Sequence, residues 1–356
     1  MISNNSIIGW DVGGAHLKVA YLDKQAHLQF VKQYPCPLWQ GLDHLHKAII
    51  EALASLPYTP QTTLHGVTMT GELVDLFPDR ATGVRELIRV LAQHIEEGHL
   101  FFFGGTGGLL TSEQAMQHTE LVASANWLAT GLLTGQTIEQ GLLIDMGSTT
   151  TDLLLIEQAT INHRGYSDFE RMHAGELVYT GVVRTPLMTV TNQVPFYGSW
   201  QPLMAEHFAT TADIYRLVGA LDEQLDMMPA ADGQDKTPID SARRVARMLG
   251  VDVNVAELPK WQSVARYLID CQARRIMDAI DIQLSRQLLA TDAPFIGAGA
   301  GSFVVRKLAT WYDRPFIDFA EIIQTNDLSL RKAATLCAPA VAVAYLARIW
   351  NEHCSR

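Results

Sequence analysis

Leu142-Leu143-Ile144-Asp145-Met146-Gly147-Ser148-Thr149-Thr150-Thr151-Asp152-Leu153 is the stretch on which the reading of this chain turns. An apolar strand ends on an aspartate, a glycine turn follows, and hydroxyl residues lead into a second strand. Glycine lets the backbone bend sharply and lets N–H groups approach an anion closely. An aspartate at the strand end suits a divalent cation, which in turn grips phosphate oxygens. The same pattern opens the chain as Ile7-Ile8-Gly9-Trp10-Asp11-Val12-Gly13-Gly14. One such turn is explained by hairpin structure alone. Two copies, one opening each half, predict a duplicated fold with a phosphate held between the halves.

The 356 residues suit two domains, each large enough for its own core. Hydrophobic residues make up 48% and charged residues 18%, the balance of a soluble globular protein. A net charge of −11 argues against nucleic-acid and anionic-membrane partners. An anionic substrate stays compatible with it, provided a metal ion and a few basic residues shape the local field. Cys36, Cys271, Cys337 and Cys354 show no paired spacing and read as free thiols. The short lead from Met1 to the first strand leaves no room for a signal peptide. The alanine-rich stretch 333–347, interrupted by Thr335 and Pro339, reads as a buried helix, too short to span a bilayer. A cytoplasmic protein is the expectation, with a homo-oligomer left open.

Working outward, alternating and apolar runs predict strands at 16–21, 28–33, 66–70 and 99–103. Helical spacing predicts helices over 41–56, 83–97 and 112–130. Around the second turn the strand pattern repeats at 141–146, 152–158 and 160–166. Residues 163–202, rich in Gly, Thr, Pro and aromatics, read as loops and short strands. Helices are expected over 206–228, 238–249 and 255–289, then a strand and glycine loop at Phe295-Ile296-Gly297-Ala298-Gly299-Ala300-Gly301 before a helix from Ser302. The expected domains are 1–135 with the C-terminal helix 333–352, and 140–332 with a helical insertion at about 205–290.

The two turns and the Gly297-Ala298-Gly299-Ala300-Gly301 loop, in this order and at these distances, resemble the sugar kinase, Hsp70 and actin superfamily. That resemblance implies an α/β fold of two RNase-H-like domains with a phosphate-binding cleft between them. It implies phosphate contacts from Gly13, Gly14, Gly147, Ser148, Thr149 and Thr150, and an adenosine loop at Gly297, Gly299 and Gly301. A finer resemblance, through 145–153 and Gly181-Val182-Val183-Arg184-Thr185-Pro186, is to the hydantoinase A/oxoprolinase branch. Gly13-Gly14-Ala15-His16-Leu17-Lys18, Ser124-Ala125-Asn126-Trp127 and 180–186 are similar to a short single-chain group associated with tetrahydromethanopterin-linked one-carbon metabolism. Its archaeal members resemble the methanofuran-biosynthesis enzyme that joins an aminomethylfuran diphosphate to a tyramine phenol. The implied reaction is transfer of a furanylmethyl group to a phenolic acceptor with release of diphosphate, with a phosphorylated small molecule as the other substrate. An ATP-dependent kinase or hydantoinase-like hydrolase is the alternative, and a nucleotide-dependent regulator a third reading.

Sugar kinases commonly carry hydroxyl residues where this chain has Ala15-His16-Leu17-Lys18. His16 and Lys18 project to one face of a strand, and a lysine ammonium suits a diphosphate; a solvated strand residue is the plainer role. Magnesium near Asp11 and Asp145 would neutralise the leaving group. Asp152 reads either as a base or water-mediated metal contact, or as a turn cap. Arg184 reads as a substrate anchor or a salt bridge between loops, and Asn126, within an apolar helical run, as a substrate contact or a helix–helix hydrogen bond. Glu72 is a substrate contact or a helix cap, and His173 with Glu176 forms a pair whose spacing wants a helix to hold metal.

Overall fold

A computed structural model describes residues 5–59, 62–254 and 257–354, without the side chain of Cys354. The chain divides into two compact units. One comprises Met1–Gly141, Ile156–Asn162 and Ile317–Arg356; the other comprises Leu142–Leu155 and His163–Phe316.

The first unit is built on strands β1 (Ser6–Val12), β2 (His16–Leu22), β3 (Leu28–Pro35), β4 (Thr63–Met69), β5 (Leu100–Phe103) and β6 (Leu109–Leu110). Their order in the sheet is β3-β2-β1-β4-β5-β6. β1, β2 and β3 form an antiparallel meander, whereas β4 runs parallel to β1 and β5 parallel to β4. This is the RNase-H-like arrangement.

Every residue of β1 is buried, so both faces of the strand are covered. Ile8, Trp10 and Val12 face a core with Leu45 and Ile49 of the helix Asp43–Ser55 and Val84, Leu87 and Leu91 of the helix Arg80–Ala92. The other face meets the helix Ala338–Cys354, which contacts β1, β2 and β4. Gly9 and Gly66 lie side by side in the β1–β4 register and open a notch for it. A Cβ on Gly9 would fall 2.0 Å from the Ala340 carbonyl oxygen, and one on Gly66 3.0 Å from the Ala347 Cβ. Small residues on both sides bring the alanine-rich helix down onto the sheet. Among the described residues no single helix is long and apolar enough to cross a membrane.

The second sheet uses β7 (Gly141–Met146), β8 (Thr151–Glu157), β9 (Thr160–Ile161), β10 (Leu177–Val178), β13 (Phe295–Ala298) and β14 (Phe316–Asp318). Its order is β10-β8-β7-β13-β14, with β9 on β8 and β13 parallel to β7. The hairpin β11 (Gln193–Phe196) and β12 (Ser199–Pro202) stands apart as a two-stranded sheet.

Several elements depart from the sequence-based expectations. The strand expected over 160–166 stops at Ile161, because the backbone N–H groups of Arg164 and Gly165 donate to the Glu176 carboxylate and are lost to any ladder. Residues 163–202 hold a helix, Asp168–His173, started by a reciprocal cap between Ser167 and Glu170. The helix expected over 112–130 is three, Ser112–Gln117, Thr119–Val122 and Asn126–Gly135. That expected over 206–228 is confined to Thr211–Leu217, with a 3-10 turn at Glu223–Leu225. The long helix is Leu258–Leu284; its expected start at Val255 lies outside the described residues.

Candidate active site

In the first turn, the Gly13 N–H donates to the His16 carbonyl (3.0 Å) and closes the β1–β2 hairpin. The antiparallel register sets Asp11 opposite Lys18, and Lys18 Nζ lies 3.2 Å from Asp11 Oδ2. Asp11 is 2% exposed. A carboxylate this deep is costly without an opposite charge, and Lys18 supplies one while its own side chain stays partly in solvent. Cys337, at the foot of the helix Ala338–Cys354, lies near this pair. Burial pushes its thiol up to about 12, Lys18 pulling it down and Asp11 up, so it stays a neutral S–H. His16 is buried on the same strand face as Lys18.

The second turn is closed by the Gly147 N–H donating to the Thr150 carbonyl (2.8 Å). Residues 147–150 are half-buried, and the Ser148 and Thr149 hydroxyl oxygens are 3.4 Å apart. β13 brings the glycine loop to this turn: Ala298 is in register with Asp145, and the Gly301 N–H donates to the Met146 carbonyl (2.7 Å). Gly299 has φ +77°, and a Cβ there would sit 2.3 Å from Asp145 Oδ1. Asp145, the turn and the loop at Gly297, Gly299 and Gly301 are therefore one cluster within the second unit.

A distant segment braces this turn from outside. The Val182 N–H donates to the Gly147 carbonyl (3.1 Å), and the Val183 and Arg184 N–H groups to the Ser148 carbonyl (3.1 and 2.8 Å). That segment is itself held by Gln272, whose Nε2 donates to the Gly181 carbonyl (2.7 Å) and Thr180 Oγ1 (2.8 Å). The Tyr215 hydroxyl donates to Gln272 Oε1 (2.8 Å). Sequence reasoning missed Gln272. Its signal was a polar residue in the buried helical stripe of Trp261, Ala265, Leu268 and Ile276.

The remaining candidates are placed as follows. Asp152 Oδ1 accepts from Arg171 Nη2 (2.8 Å), a guanidinium only 1% exposed that also donates to the Glu176 carbonyl. Arg184 is half-buried; burial pulls its pKa below the usual arginine value, against the opposing pull of Tyr179. Asn126 does not lie inside a helix but begins one, its Oδ1 accepting the Trp127 N–H (2.8 Å). Glu72 is buried and accepts from the Ser124 hydroxyl (2.6 Å). Glu176 organises its own loop and pairs with Arg164 and Arg286, while His173 ends a helix of six residues. Among the described residues no group of three or more His, Cys, Asp and Glu side chains is set to hold a metal ion.

A (4-{4-[2-(gamma-L-glutamylamino)ethyl]phenoxymethyl}furan-2-yl)methanamine synthase of Methanocaldococcus jannaschii is 28% identical over 301 residues, covering 82% of this chain and 86% of the relative. The synthase of the same name from Methanococcus vannielii is 32% identical over 114 residues, 32% of this chain and 50% of that protein. Among solved structures, nucleotide-free acetone carboxylase aligns with a TM-score of 0.51 at 10% identity, over 84% of this chain and 66% of that one, a likeness of fold. Residues 63–349 match the hydantoinase/oxoprolinase family, and the chain belongs to it.

Proposed function

We propose that this protein is a transferase that joins a furanylmethyl diphosphate to a phenolic acceptor and releases diphosphate. One observation carries the reading: 28% identity across 82% of the chain to a synthase whose named product contains a phenoxymethyl ether on a furan. Cutting that ether at its CH2–O bond yields a phenol bearing an aminoethyl arm and a furan carrying an activated methylene. The phenolic oxygen attacks the methylene carbon, the bond to diphosphate breaks, the electron pair leaves with the diphosphate, and the phenolic proton passes to the released diphosphate or to solvent. The furan ring shares positive charge developing at that carbon, so stabilising the departing anion is the main demand on the protein.

Within the second unit, the N–H groups and hydroxyls of Ser148, Thr149 and Thr150 suit phosphate oxygens, while the Gly147 N–H closes the turn that presents them. Magnesium is typically held by one or two carboxylates plus substrate phosphates, so the lack of a three-ligand cluster among the described residues does not disfavour it. Asp145, beside the turn and the glycine loop, fits that role, and the ion would supply charge neutralisation for the leaving group. Asp11 has its charge matched by Lys18, and a cation there would share the carboxylate with an ammonium. Asp152 is tied to Arg171, which favours a part in shaping the loop after β8 over proton transfer. Arg184, on the segment that braces the turn, is placed to contact an anionic part of the substrate.

The test is incubation of the purified chain with furanylmethyl diphosphate, magnesium and candidate phenols, including tyramine and its γ-glutamyl amide. An aryl ether by mass spectrometry with equimolar diphosphate is expected; diphosphate release without ether, or neither, overturns the reading. Asp145→Ala should abolish product while leaving the circular dichroism spectrum unchanged. The glycine loop against Asp145 favours a second reading, an ATP-dependent kinase or hydantoinase-type hydrolase. Magnesium-dependent ATP turnover stimulated by a small acceptor would support that one instead.

A further inference from the structure

A large aromatic side chain stands out of the second unit beside the turn 147–150. Tyr179 follows β10, and Val178 of β10 is in register with Thr151 of β8. Two residues on, a Cβ on Gly181 would fall 2.5 Å from both the Ser148 carbonyl carbon and the Thr149 nitrogen. Tyr179 is thus bracketed by contacts to Ser148, Thr149 and Thr151, alongside Thr150. The Thr180 N–H donates to the Val178 carbonyl (2.8 Å), a three-residue turn with Tyr179 at its apex. Thr180 itself is wholly buried. Its carbonyl accepts from the Thr151 hydroxyl (2.7 Å) and its hydroxyl oxygen from Gln272 Nε2 (2.8 Å). The backbone is locked, yet Tyr179 is 56% exposed.

A single exposed apolar residue needs no explanation; a rigidly mounted ring beside an anion-suited turn has a use. A tyrosine ring offers a broad flat surface and loses little side-chain freedom when it is covered. Residues 147–150 are half-buried, so turn and ring are both open to a small molecule from solvent. The Arg184 N–H is bonded to the Ser148 carbonyl, and its guanidinium feels Tyr179 electrostatically, which puts a cationic group at the same place. A ring joined to diphosphate through one methylene must lie next to whatever holds the phosphates. The attacking phenol approaches that methylene from the side away from the leaving oxygen. The furan is therefore the ring that Tyr179 meets.

We propose that Tyr179 is a specificity-determining residue, its ring the shelf on which the furan of furanylmethyl diphosphate lies while Ser148, Thr149 and Thr150 hold the phosphates. This rests on the transferase reading above. Offset stacking favours a flat ring over an alkyl group, so the shelf selects arylmethyl diphosphates over alkyl diphosphates of the same charge.

The test is calorimetry on the full chain with magnesium, comparing furanylmethyl diphosphate with methyl diphosphate in the wild type, Tyr179→Phe and Tyr179→Ala. The wild type should bind the furanyl compound about tenfold more tightly, the effect of one stacked ring. Tyr179→Ala should lose that preference with its affinity for methyl diphosphate unchanged, and Tyr179→Phe should keep it. Equal weakening of both ligands in Tyr179→Ala would place the effect in Arg184 or the turn, and overturns the shelf. Retained preference in Tyr179→Ala, its loss in Tyr179→Phe, or binding of neither diphosphate to the wild type overturns it too. Should Tyr179→Ala fail to fold, Tyr179→Leu takes its place, and equal affinities in the wild type overturn the shelf without any variant. Binding is read without turnover. A ring preference that depends on Tyr179, with no ether from any phenol, sinks the transferase reading and leaves the shelf standing.

Discussion

The two turns look alike in sequence but are held in opposite ways. The first is fixed by its own sheet: register sets Lys18 against Asp11, and the glycine notch lets the helix Ala338–Cys354 cover the strands behind it. The second is held from outside, by the N–H groups of Val182, Val183 and Arg184, which in turn depend on Gln272 about ninety residues further along. A turn locked by its strands is sensitive to changes within or behind those strands. A turn braced by a distant segment is open to damage, or adjustment, from remote positions.

That contrast can be broken most severely at Gly9. Gly9→Val places a branched side chain where even a Cβ lies 2.0 Å from a backbone carbonyl, well beyond the ~1–3 kcal/mol of ordinary overpacking. Soluble expression should be lost; a well-folded variant by thermal melt would contradict the notch. Next in size, Gln272→Leu should destabilise by about 2–3 kcal/mol, since it orphans the Tyr215 hydroxyl and removes two donors from 180–181. Denaturant titration measures this, and phosphate-analogue binding should weaken in the same variant. Wild-type affinity would mean the brace does not govern the turn.

A smaller effect separates the units by pH. The Trp10 indole N–H donates to His65 Nδ1 (3.0 Å) beneath the β1–β4 pair. Burial lowers the His65 pKa to about 3, helped by His99. Above pH ~6.5 the ring is neutral folded and unfolded, with no effect. Below it the unfolded chain takes up a proton that the folded chain refuses, so stability falls by ~1.4 kcal/mol per pH unit until the folded ring titrates. At pH 5 the loss is about 2 kcal/mol, and it should fall on the first unit. Hydrogen exchange should show β1 and β4 losing protection before β7 and β13, and His65→Gln should flatten the dependence.

How much of this was legible in the sequence depended on whether the cause was local. The strands of both turns were readable because apolar runs end on aspartate and glycine. The capped helix Asp168–His173 was readable too, since Ser167 and Glu170 carry its start signal, but loop-like composition around it hid the helix. Asn126 was misplaced because apolar neighbours suggested a continuous helix, whereas Ser124 takes φ +52° and the helix begins afresh. The partners of Asp152 and Gly181 were beyond reach: Arg171 and Gln272 meet them only through tertiary packing, and nothing in their local spacing announces it, whereas Lys18 meets Asp11 through the register of one hairpin.

The notch at Gly9 and Gly66 has a consequence for biosynthesis. Its occupant is encoded at the far end of the chain, so a nascent chain on the ribosome exposes the bare β1–β4 face while some 270 further residues are made. The intervening unit has all its segments by Phe316 and can complete itself first. Translation order and folding order are thus inverted, and the earliest strands made are among the last to be covered.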